Sequence, residues 1–196
     1  MNHLYDEDDI FDPARKYPAS EVFKPTRYFT GCRHWREPVI VGRYIVTCSS
    51  CVTKSNLPPP TPDFGVYMAI GWRETLGRMW TNGSYLKRLA EARPYPALFV
   101  DWPDGGVIPV SQINTLVEIC RSKMSRGKQV DLGCHAAHGR TGTLLACLIA
   151  RVEHLNGRKA LEAVRYRYCK WAVESSAQER AITEYAEKYA VRRKRK

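Results

Sequence analysis

Hydrophobic residues along the chain fall into short blocks with two different periods. From Glu37 to Thr47 the sequence E-P-V-I-V-G-R-Y-I-V-T is β-branched on both sides of Gly42, which predicts a bent strand or hairpin. Phe64 to Ile70 and Ala97 to Val100 are two further short apolar runs that read as strands. Between them, residues 72–92 are mixed, with a helix or turn expected around Tyr85 to Ala92. Val110 to Met124 changes period: Ile113, Leu116, Val117 and Cys120 recur at helical spacing. Lys128 to Gly133 is again strand-like. It is followed by a helix carrying Leu144, Leu145, Leu148, Ile149 and Val152, apolar on most sides. Asn156-Gly157 breaks the chain. A helix over Arg158 to Cys169, with Leu161 and Val164 inward, and a last helix from Ser175 to Ala190 complete the pattern. Strand, helix, strand, loop, helix is a βαβ crossover. The expected class is therefore α/β, a central mostly parallel sheet flanked by helices.

Composition divides the chain further. Residues 1–28 are polar and irregular, with an acidic run at Asp6, Glu7, Asp8 and Asp9, and read as an arm. Residues 29–190 read as a single domain, within which the Pro-rich stretch 54–63 is a connector. Residues 191–196, V-R-R-K-R-K, form a basic tail. No apolar run reaches the ~18 residues of a membrane span, and the N-terminus lacks the pattern of a signal peptide. Seven cysteines in 196 residues fit a reducing cytoplasm better than a disulfide framework. The net charge of +11 favours acidic partners: phosphorylated proteins or peptides, acidic lipid, or RNA.

The chemistry concentrates in V-D-L-G-C-H-A-A-H-G-R-T-G-T, residues 130–143. A loop of this length at a helix N-terminus can turn the backbone N–H groups of His135, Ala136, Ala137, His138, Gly139 and Arg140 toward a phosphate. Small residues allow the close approach, and Arg140 can grip two oxygens with its guanidinium. Cys134 then lies under the phosphorus. The same N–H groups and helix dipole stabilise a thiolate, the form that attacks in line to give a phosphocysteine. Thr141 can hydrogen-bond the sulfur and ease its departure.

Cys-x5-Arg-Thr-Gly between a strand and a helix resembles the signature of the protein tyrosine phosphatase superfamily. A second stretch strengthens the resemblance: Trp102-Pro103-Asp104, about thirty residues earlier, is similar to the acid loop of the tyrosine-specific members. There Asp104 would donate a proton to the leaving oxygen and later take one from water. Asp101 is the less fitting alternative. Gly105 and Gly106 would let the loop close. The resemblance implies a compact tyrosine or dual-specificity phosphatase that needs no metal and no cofactor. It also implies a residue that positions the hydrolytic water, met here by Gln178 or, second, by Glu174. Ser175-x-x-Gln178 and Ser176-x-x-Glu179 equally read as capping boxes. Two positions depart from the family pattern. Gly133 stands where it usually has His, and Ala137 where it has Gly; a positive φ at Ala137 would cost about 1 kcal/mol.

Three points stay open on the sequence. The same mechanism serves a phosphoinositide or an RNA 5′-phosphate, and a binding module that never turns over would use the same cradle. His135 and His138 either add charge below about pH 6.5 or, as we expect, face solvent while their backbone N–H groups bind. Cys32, His34, Cys48 and Cys51 could hold zinc, although ordinary thiols are the expectation.

Overall fold

The apolar alternation around Gly42 closes into a hairpin. In the computed structural model, which describes residues 37–50, 62–69 and 95–190, strand β1 (Val39–Val41) pairs antiparallel with β2 (Tyr44–Ser50). Gly42 takes φ +59° in the turn, a conformation that needs no Cβ. Strands β3 (Phe64–Ala69), β4 (Ala97–Asp101) and β5 (Val130–Cys134) run parallel to β2 in a five-stranded sheet of order β1-β2-β5-β3-β4. β5 is therefore interior, and all five of its residues are buried, as a strand covered on both faces requires.

Helix α1 (Val110–Ser125) buries Ile113, Leu116, Val117, Cys120 and Met124, the face its spacing predicts. It ends at Gly127, φ +76°, where the Gly127 and Lys128 N–H groups bond back to the carbonyls of Met124 and Lys123. This is a Schellman closure. It takes Lys128 into the helix cap, which is why β5 starts at Val130 and not at Lys128. Helix α2 (Gly139–Glu153) is buried from Gly139 through Ala150 and packs against β5 and every other helix described. Helix α3 (Gly157–Arg167) is capped by the Asn156 side chain, which accepts from Lys159 N–H at 3.0 Å. Helix α4 (Ser176–Tyr185) is capped by Ser175. The last helix was expected to run regularly to Ala190. Instead residues Ala186–Ala190 widen into a π-turn, in which Tyr189 stacks on buried Tyr185 at 5.4 Å and the Ala190 carbonyl meets His154 Nδ1 at 3.2 Å.

The α/β class and the parallel crossover stand as the sequence predicts. The arm, the helix or turn at 85–92, most of the Pro-rich connector, the basic tail, and Cys32, His34 and Cys51 of the zinc set lie outside the described residues. Cys48 is buried in β2. Among the described residues no helix is long and apolar enough to cross a membrane.

Candidate active site

In open α/β sheets, ligands sit beyond the carboxyl ends of the strands. Cys134 is the last residue of β5, in register with Ser50 on one side and Met68 on the other, and is 2% exposed. The residue before it cannot carry a side chain. A Cβ on Gly133 would lie 2.6 Å from the ring of Tyr67 and 3.2 Å from the Ser49 carbonyl. Tyr67 is fixed there because its hydroxyl donates to buried Asp131 at 2.8 Å and meets the Tyr95 hydroxyl at 2.6 Å. Thr47 and Ser49 also donate to Asp131, at 3.0 and 2.7 Å. A satisfied polar network thus fills the face of the sheet beside Gly133, the residue before the thiol.

From Cys134 the chain turns through four residues into α2. Ala137 takes φ +60°, buried, and its carbonyl accepts the hydroxyl of buried Tyr168. Burial pushes the Tyr168 phenol up, so it remains a donor. His135 is half-buried. His138, expected to face solvent, is buried at 5% exposure, because its carbonyl accepts from both Gly142 and Val173 N–H and locks the residue between α2 and the turn before α4. Burial holds both imidazoles below their usual range, and for His135 the Arg140 charge adds to it. The shift works against the positive charge that the sequence reading offered below about pH 6.5. His138, at the helix N-cap position, makes no side-chain cap.

Arg140 is 3% exposed. Its Nη1 donates to the Trp102 carbonyl at 3.1 Å and its Nη2 pairs with Asp104 Oδ1 at 2.9 Å. The buried Nε has no partner, and neither has the buried hydroxyl of Thr141. The loop that brings Asp104 in is a tight turn. Gly106 N–H bonds the Pro103 carbonyl at 3.1 Å, with Gly105 at φ +64°, the geometry that requires glycine. Trp102, fully buried, anchors it by donating from Nε1 to the Gly106 carbonyl at 3.0 Å. Asp104 sits at the tip with its side chain 71% exposed. Asp101, at the end of β4, is exposed.

The turn before α4 closes the other side. Gln178 is fully buried; its Oε1 accepts from Glu174 N–H at 2.9 Å, and its Nε2 donates to the Gly106 carbonyl at 3.4 Å. Ser175 accepts from Gln178 N–H, so the first of the two expected capping boxes supplies the cap. Glu179 of the second instead pairs with Arg165 at 2.6 Å. A Cβ on Gly139 would lie 2.3 Å from Glu174 Oε2 and 3.0 Å from Gln178 Nε2. Both residues offered for water positioning therefore lie against Gly139, at the start of α2.

The described folding pattern is shared with known structures. Tk-PTP in its active form superposes with a TM-score of 0.56 at 21% identity, over 78% of this chain and 98% of that one. Human tyrosine phosphatase-like serine/threonine/tyrosine-interacting protein gives 0.55 at 13% identity, over 78% and 97%. This is the fold of the cysteine-based protein tyrosine phosphatase superfamily. By sequence, the chain belongs to one family with the uncharacterized protein MJ0215 of Methanocaldococcus jannaschii. The two are 35% identical over 135 residues, 65% of this chain and 79% of that protein. A 64-residue stretch is 34% identical to protein tyrosine phosphatase domain-containing protein 1 of Danio rerio, 33% of this chain and 9% of that one. No protein-family model matches the chain. Within this fold Arg140 pairs with Asp104, and Gln178 reaches both the turn that carries Asp104 and Gly139 beside Arg140. The sequence reading placed Glu174 second and missed the Tyr67–Asp131 network, whose members are far apart in the chain.

Proposed function

We propose that the chain is a cysteine-dependent phosphatase that cleaves phosphotyrosine esters, and phosphoserine or phosphothreonine esters where these reach the cradle. The observation that carries this reading is that three groups from three elements lie at the carboxyl edge of one sheet. Cys134 comes from β5, buried Arg140 from α2 with its Nε unpaired, and Asp104 from the acid loop, bonded to that same arginine. Arg140 Nε and the loop amides take the phosphate oxygens. Cys134 Sγ attacks phosphorus, the P–O ester bond breaks, and Asp104 gives its proton to the leaving oxygen. The Thr141 hydroxyl, uncommitted and buried at the end of the loop, donates to the sulfur as the S–P bond breaks in the second step. Gln178 positions the water that breaks it. Neither a metal nor a cofactor has a part in these steps.

The test is hydrolysis of an aryl phosphate with chelator present. Wild type should turn over, Cys134→Ser should be inactive, and Asp104→Ala should be slower by ~10²-fold or more. A wild-type protein that binds vanadate but releases no phosphate between pH 5 and 8 would instead be a binding module, and the catalytic roles would fall. Among phosphopeptides, phosphoinositides and RNA 5′-phosphates, the best substrate should be the phosphotyrosine peptide.

A further inference from the structure

The turn from Ala172 to Ser175 is built with unusual care for a connector. Val173 takes φ +69°, which a β-branched residue adopts only when its surroundings impose it. Three contacts impose it. Val173 N–H donates to the His138 carbonyl at 3.3 Å. Arg165 holds the Ala172 and Val173 carbonyls, each at 3.3 Å, while it pairs with Glu179. Gly142 admits the turn against α2, since a Cβ there would lie 3.0 Å from Val173 N. The product of this bracing is the position of the next side chain. The Glu174 carboxylate enters the phosphate loop, accepts the backbone N–H of Gly139, and has Arg140 and Asp104 as its charged neighbours.

From this geometry we propose that Glu174 is a second catalytic carboxylate, the base that takes the proton of the water hydrolysing phosphocysteine. The inference rests on the phosphatase reading above. Asp104 serves the first step, in which the ester oxygen leaves with its proton, and Glu174 takes over the second proton transfer that the family resemblance gave to Asp104. In the second step, the water oxygen bonds to phosphorus and the S–P bond breaks. Its electron pair returns to Cys134 as thiolate. One water proton passes to Glu174 Oε2, and inorganic phosphate departs. Strain at Val173 is the cost of bringing that oxygen to the loop. Burial, reinforced by the Asp104 charge, raises the Glu174 carboxyl above its ordinary range, although Arg140 and the Gly139 N–H pull it back. A raised carboxyl is a stronger base than an exposed glutamate.

The deciding experiment is rapid-quench kinetics of Glu174→Gln with an aryl phosphate. A base specific to the second step predicts a burst of phenol equal to the enzyme concentration, then steady turnover ~10²-fold below wild type. Phosphocysteine should accumulate and be trapped on denaturation. A steady rate within twofold of wild type and no burst overturns the proposal. So does loss of the burst together with turnover in a variant that still binds vanadate. Should Glu174→Gln not fold, the pH dependence of phosphocysteine breakdown in Asp104→Asn decides. With Asp104 removed, the groups facing Glu174 are Arg140 and the Gly139 amide from α2 and Gln178 from α4, with His135 beside Arg140. Breakdown that rises with pH through a single carboxyl ionisation supports Glu174, and a flat profile overturns it. Failure of the phosphatase reading itself is distinguishable, because wild type would then bind vanadate and release no phenol, or Cys134→Ser would release it at the wild-type rate.

Discussion

Ala137 holds a left-handed backbone with a methyl group, fully buried and tied by Tyr168. Two effects oppose each other at this position. Glycine would relieve about 1–2 kcal/mol of strain. It would also lose one buried methyl, ~0.8 kcal/mol, and raise the entropy of the unfolded chain by ~0.4–1 kcal/mol. The terms nearly cancel, so Ala137→Gly should shift the melting temperature by no more than a few degrees; a large shift in either direction would show that one term has been misjudged. Residues such as Cys134 and Arg140 were legible from sequence because their relation is local: one strand, one loop, one helix start. Glu174 was less legible for the opposite reason. Its reach into the loop depends on a positive φ at Val173, a contact surface at Gly142 and a brace from Arg165, and no spacing rule encodes that combination.

Among elements, β5 shows how tightly the sheet and the site are joined. Tyr67 of β3 lies across Gly133 and Gly65, filling the space that a Cβ on either glycine would need. Gly133→Ala would force the ring out of its bonds to Asp131 and Tyr95, at an overpacking cost of ~1–3 kcal/mol. Chemical denaturation of Gly133→Ala measures this, and the double variant with Tyr67→Leu should recover part of the loss by vacating the space. Full stability in the single variant would mean that the ring moves freely. Helix and strand types were readable from period alone. Their ends were not, because ends are decided by hydrogen bonds across the break: the closure of α1 on Lys128 shortened β5, and the stacking of Tyr189 on Tyr185 widened the last turn of the chain described.

The whole molecule should respond to acid through its phosphate loop. Burial depresses both His135 and His138 below 6.5 in the folded chain. Between the folded and unfolded values the unfolded chain binds more protons, so stability rises with pH there. The contribution is complete above about pH 6.5 and is lost as pH falls toward the depressed folded values. Melting temperatures from pH 7.5 to 5 should therefore fall well before the carboxylates titrate. His138→Gln should flatten that slope, and an unchanged slope would count against the buried placement. The turn that carries Asp104 is likewise tied into the rest of the molecule. Ser175 caps α4 and donates to the Gly105 carbonyl at 2.7 Å, while Gln178 reaches Gly106. The loop cannot swing away without breaking bonds made by the helix cap, and α4 in turn packs on α2 and α3. Gate and frame thus share a hinge pin. Under the proposed function, any opening of the turn that frees phosphate has first to break the bond that a serine hydroxyl at the start of a helix makes to Gly105.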